Sequence, residues 1–129
     1  MTDSKVVLIT GAAKRIGSCI ATTFHSEGYR VLIHANKSIE EGNKITKELN
    51  RVREKSAVFL QADFNDLKKI KRFSENALDY FGRIDTLVNN ASMFYPTPIK
   101  NLKQSDWDKL FNSNVRAAFF LCQALEDEL

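Results

Sequence analysis

The chain has 129 residues, 43% hydrophobic and 27% charged, with a formal net charge of +3. These figures describe one globular domain with a modest core rather than a disordered segment. They exclude a membrane span, since no apolar run reaches about 18 residues, and a nucleic-acid stripe, since the cations of Asn43–Lys55 and Asp66–Phe73 are interleaved with acidic and apolar residues and read as solvated helix faces.

Lys5–Thr10 (KVVLIT) is a short β-rich apolar run and reads as a buried strand. GAAKRIG follows and opens a helix in which Ile16, Ile20, Ala21 and Phe24 share one face, with Gly28 ending it. Tyr29–Ala35 is a second strand. Ser38–Lys55 is a second helix, with Ser38 as its N-cap and Glu41 at the capping-box position. Ala57–Asp63 is a third strand, and Asn65–Gly82 a third helix with Asn65 as a candidate cap. Ile84–Val88 is a fourth strand. Gln104–Leu129 reads as one long fourth helix, with Ser105 a candidate cap. The strict β-α alternation predicts an α/β, Rossmann-like, doubly wound parallel sheet of four strands in the order 3-2-1-4, with helices on both faces.

Cys19 and Cys122 fall inside helical patterns without a Cys-x-x-Cys, so buried reduced thiols are expected, as suits a cytoplasmic protein. The start of the chain carries no signal-peptide pattern. His25 and His34 have no companion at metal-ligand spacing, and no metal site is expected.

Ligands of open parallel sheets bind beyond the carboxyl ends of the strands, near the point where the strand order reverses. Four turns lie there. In the first, Gly11 permits a tight turn and Gly17 a close helix contact, while Lys14 and Arg15 add cations at the helix start; Arg15 occupies the place of the usual middle glycine. This turn reads as a dinucleotide cradle or as an ordinary strand–turn–helix with surface charge. After the second strand, Val31–Ser38 contains no acid to hold ribose hydroxyls but offers His34, Asn36, Lys37 and Ser38, which suits a 2′-phosphate and favours NADPH. Asp63, after the third strand, reads as an acceptor for an adenine amino group or as a turn residue. Asn89 and Asn90 leave the fourth strand, and Ser92, Phe94 and Tyr95 follow on a loop stiffened by Pro96 and Pro98. That loop either presents a ring for stacking or packs on the core.

These residues resemble the short-chain dehydrogenase/reductase family over all 129 residues, through the Thr-Gly turn, Asp63, the Asn-Asn-Ala run and Asn114. Within it they are most similar to the pteridine reductases, through TGAAKRIG, with arginine where most relatives have glycine, and NNASMFYPTPI, with serine where most have glycine. The resemblance implies hydride transfer from NADPH to a dihydropterin or dihydrofolate. It implies that Gly11, Ile16, Gly17, Asn36, Asn89, Asn90 and Ala91 line the cofactor, and that Lys14, His34, Lys37 and Ser38 recognise its adenosine half. It assigns the adenine to Asp63 and Phe64, the pyrophosphate and pterin to Arg15, the pterin edge to Ser92, the pterin face to Phe94, and the proton relay to Asn114.

One departure is large. The family's catalytic pair is a tyrosine followed four residues later by a lysine, but Tyr29, Tyr80 and Tyr95 are followed at that distance by Ile33, Ile84 and Ile99. The chain is therefore read as the N-terminal, NADP(H)-binding half of a reductase, inactive alone. Its fourth strand is expected to be an open edge, completed by a catalytic half or by self-association; intact family members are commonly tetrameric. A generic ketone or acyl reductase and a non-catalytic nucleotide-binding fragment are the alternatives.

Overall fold

The computed structural model describes residues 3–129. Four strands, β1 (Val6–Ile9), β2 (Arg30–Ala35), β3 (Ala57–Gln61) and β4 (Thr86–Val88), alternate with helices α1 (Arg15–Ser26), α2 (Ile39–Val52) and α3 (Leu67–Phe81). After β4 come a 3-10 turn (Ile99–Asn101), helix α4 (Gln104–Phe111), a π turn (Asn112–Arg116) and helix α5 (Ala117–Ala124). Every strand pairing is parallel, in the order β3-β2-β1-β4, as the alternation predicts.

Period-two alternation along the strands divides the core into two layers. Val6, Leu8 and Leu32 pack with Ile70, Phe73 and Ala77 of α3 and Leu121 of α5. Val7, Ile9, Val31 and Ile33 pack with Ala21 of α1 and Ile45 and Leu49 of α2. β1 is fully buried, whereas all three residues of β4 are half-buried at the sheet edge.

Several local expectations are corrected. The expected single fourth helix is interrupted by the π turn at Asn112–Arg116. Ser38 does stand at the N-cap position of α2, but its ψ of 58° departs from the extended backbone of a capping residue, and its hydroxyl caps nothing. No capping box with Glu41 forms. α3 is capped by Asp66, which accepts the Lys68 N–H at 3.0 Å, one residue after Asn65. α4 begins before Ser105, with the Asp106 carboxylate accepting the Lys103 N–H at 3.1 Å. Ile16 is 71% exposed because it sits in the first turn of α1, short of the buried face of Gly17, Ala21 and His25. Cys19 and Cys122 lie on exposed positions of their helices, not in the core.

The short edge strand is fastened at its start. The Asp85 carboxylate accepts the Val6 N–H at 2.7 Å, and the Asp85 N–H donates to the Val6 carbonyl at 2.9 Å. The Arg83 guanidinium grips the same carboxylate and, as the main cause, holds its pKa below the usual carboxylate range. Asp85→Ala is expected to cost about 1–2 kcal/mol at neutral pH. A depressed folded-state pKa gives stability that is present above about pH 4 and is lost as pH falls through the lower, folded value. Denaturant melts across that range should therefore show the gap between wild type and variant closing in acid.

Candidate functional site

The turns after β1, β2, β3 and β4 enclose a cleft of about 610 Å³, and Ser113 of the π turn closes one side. Its position beyond the carboxyl ends of the strands follows from the reversal of strand order between β1 and β4.

The first turn is held in place by Thr10. Its hydroxyl accepts the N–H groups of Asn90 and Ala91 at 3.0 and 2.9 Å. The Asn90 amide returns two bonds, to the carbonyls of Thr10 and Gly11 at 3.1 and 3.0 Å. Gly11, at φ 60°, has no room for a side chain: a Cβ there would meet the Ala91 Cα at 2.8 Å. A Cβ on Gly17 would meet the Gly11 carbonyl oxygen at 2.1 Å. Arg15 adopts φ 56°, a left-handed backbone that costs a non-glycine residue about 1 kcal/mol. The turn thus makes a second left-handed bend, after that at Gly11, without glycine, and places a guanidinium at the cleft. The N–H groups of Gly11 and Ala12 are consumed internally, by the His34 Nδ1 at 3.1 Å and the His34 carbonyl at 2.8 Å. The donors left for a ligand are the orphan N–H groups at the start of α1, beside Lys14 and Arg15 and with no acid in the first turn.

After β2, Asn36, Lys37 and Ser38 line the cleft. His34 borders it too, but the expectation that it contacts the adenosine half is not met by its geometry. The residue is 3% exposed, both ring nitrogens are engaged within the protein, and burial pushes its pKa down to about 4. After β3, one Asp63 carboxylate oxygen accepts the Asn65 N–H at 3.0 Å in a local turn, and Phe64 stacks on His34. Both line the cleft, as does Asn65, whose buried side-chain oxygen has no partner.

Beyond β4 the two asparagines part. Asn90 belongs to the cleft, with Ala91, Ser92 and Phe94. Asn89 does not; its amide lies 3.5 Å from the Cys122 sulfur of α5, as successive residues of an extended segment point to opposite faces. Asn114 likewise lies outside the cleft lining. Its amide pairs with both backbone groups of Met93, each at 2.8 Å. Two residues on, the Tyr95 hydroxyl donates to Asp106 at 2.9 Å, and that bond, after burial, raises its pKa. Phe94 is therefore clamped on either side while the residue itself stands 87% exposed at the cleft. The loop is a fixed arm that presents a ring, and not a lid packed on the core. Met93, Asn65 and Ser113 also line the cleft; nothing in their sequence context distinguishes them from ordinary loop residues.

The lining can attract an anion, accept hydrogen bonds and stack a planar ring; no tyrosine contributes to it. Its integrity rests on Thr10. Thr10→Val removes the acceptor of two backbone N–H groups at nearly constant volume, and should cost about 2 kcal/mol or more. Thr10→Ser should recover most of the loss in a thermal melt.

The short chain dehydrogenase family model matches residues 5–129. Pteridine reductase 1 of Leishmania tarentolae is 36% identical over 152 aligned positions, covering 92% of this chain and 52% of the relative. A hydroxynaphthalene reductase-like protein of Metarhizium majus is 31% identical, covering 92% of this chain and 44% of the relative. A probable tetrahydroxynaphthalene reductase of Zymoseptoria tritici is 28% identical, covering 94% and 45%. The chain thus spans about half the length of these relatives. With the parallel sheet, the glycine turn and a match along nearly its whole length, the chain belongs to the short-chain dehydrogenase family.

Proposed function

We propose that this chain is the cofactor-binding part of an NADPH-dependent reductase whose substrate is a planar pterin-like ring. The observation that carries the reading is one cleft that joins the start of α1, Lys37 and Ser38, Asp63, and the exposed ring of Phe94. The fit to a dinucleotide is electrostatic. The glycines let the turn pack closely on Ala91 and on its own backbone, and the cationic helix start has the polarity a pyrophosphate requires. Lys37 and Ser38, with no acid beside them between β2 and α2, suit a 2′-phosphate. Asp63 and the unpartnered Asn65 oxygen suit an amino group of adenine.

Bound NADPH supplies hydride. The residues of this chain orient what receives it. Phe94 offers one face for a fused ring, and Ser92 and Arg15 offer polar contacts to its edge. The names of the relatives bear on this choice, since pteridines and naphthalenes are both fused bicyclic rings. The two bonds exchanged between Asn114 and the Met93 backbone hold the arm that carries Phe94. Proton donation is assigned to a tyrosine outside this chain, because none of its own has a lysine four residues on. The open β4 edge and the exposed Trp107, Phe111, Val115 and Phe119 support completion by a catalytic half or a second copy.

The test is dihydropterin-dependent oxidation of NADPH by the longer protein containing this chain. Phe94→Ala should lower kcat/KM for the pterin about tenfold or more, the worth of one stacking face, while sparing a small aliphatic ketone. Equal losses on both substrates would favour a generic ketone reductase.

A further inference from the structure

The imidazole of His34 joins two turns that the sequence separates widely. Its Nδ1 accepts the Gly11 N–H at 3.1 Å, which leaves Nε2 to carry the ring proton and donate to the Ala62 carbonyl at 2.9 Å. The two bonds together require the neutral ring in one tautomer. Phe64 stacks on the ring at 4.1 Å, and Phe73 meets its edge at 5.3 Å. The backbone of the same residue takes the Ala12 N–H. A single residue thus turns two successive amides of the glycine turn inward and leaves the start of α1 as the face open to the cleft.

We propose that His34 is a positioning residue for the nucleotide. Its neutral imidazole is a strut between the turn that meets the pyrophosphate and the turn that meets the adenine. This rests on the dinucleotide reading of the cleft and adds that His34 acts without touching the ligand.

A protonated ring would set an Nδ1–H against the Gly11 N–H, donor against donor, and the Gly11 side of the strut would fail while the Ala62 side held. Burial opposes that state and keeps the ring neutral well into acid. The packed neighbours offer no compensating charge at the ring: Gly11 and Ala62 present backbone groups, and Phe64 and Phe73 aromatic faces. The charged side chains of the same turns, Lys14, Arg15, Lys37 and Asp63, line the cleft itself.

Three forms of the chain test this, with NADP⁺ as the probe because it survives acid. His34→Leu removes both ends of the strut and should weaken NADP⁺ binding about tenfold at neutral pH, by leaving the Gly11 N–H without an acceptor. His34→Asn puts an amide oxygen where Nδ1 stood, and should bind within about twofold of wild type. The pH profile separates positioning from bulk stability. Below about pH 5 wild-type affinity should fall further than that of His34→Asn, and taking the ratio of the two cancels titration of the ligand's own phosphate. Nitrogen-15 NMR of the histidine rings supplies a readout that needs no ligand: His34 should remain in the Nε2–H tautomer near pH 5.5, and the Gly11 amide signal should move only when the ring titrates. The proposal is overturned if wild type, His34→Leu and His34→Asn bind NADP⁺ alike at every pH, or if His34 titrates as a free histidine with Gly11 unmoved. No NADP⁺ binding by the wild-type chain would instead overturn the dinucleotide reading, and the positioning role with it.

Discussion

Thr10 stands where β1 meets the glycine turn, and the hydroxyl it carries is the joint on which the cleft depends. The strand order reverses between β1 and β4, so the chain leaves these two strands toward opposite faces of the sheet and a crevice opens between their exits. One oxygen takes two backbone N–H groups from the β4 exit, and the Asn90 amide closes the loop by returning two bonds to the β1 exit. These bonds let the Gly11 backbone approach Ala91 so closely that no side chain fits between them. Everything that follows in the cleft is placed relative to that contact.

From this joint the site extends in two directions with different physics. Toward α1 it is electrostatic: a helix start, two cations and a strained arginine backbone. Strain of that kind persists only where the surrounding structure fixes the backbone, and here the inward bonds of Gly11 and Ala12 anchor the turn that leads into it. Toward α4 the site is apolar and mechanical. An exposed phenylalanine on a loop would ordinarily fold back onto the core to bury its area. Phe94 does not, because Asn114 holds the residue before it and Asp106 the residue after it. The π turn is what puts Asn114 at hand and Ser113 at the cleft, in keeping with the tendency of such turns to mark functional positions.

The fold was legible because it is written in repeated patterns. The apolar runs of β1 and β2 could only be buried on both faces, and the regular alternation with helices left little choice of strand order. The site was legible as a set of turns, since topology alone brings the ends of β1 to β4 together. The fate of single side chains was not. Asn89 and Asn90 are chemically identical, and only the direction of the backbone at the strand end sends one to the cleft and the other toward Cys122. His34 reads as a polar residue available to ligand, yet the ring is turned under the glycine turn by partners more than twenty residues away in sequence. The cap at Asn65 was misplaced because Asp66 competes one residue later, and local preference does not rank neighbours of equal capping ability; Ser38 holds its expected position without capping, and α4 starts ahead of Ser105, with Asp106 in its first turn. The π turn left no signal in composition.

The proposal that unites these features is a single kind of guest, a nucleotide with a phosphate on its ribose. The most direct measurement is a fluorescence titration of this chain with NADPH and NADH under identical low-salt conditions. The account predicts saturable binding of NADPH at least about tenfold tighter than NADH, with an advantage that shrinks as salt screens Lys37. Equal affinity for the two, or no binding of either, would contradict it.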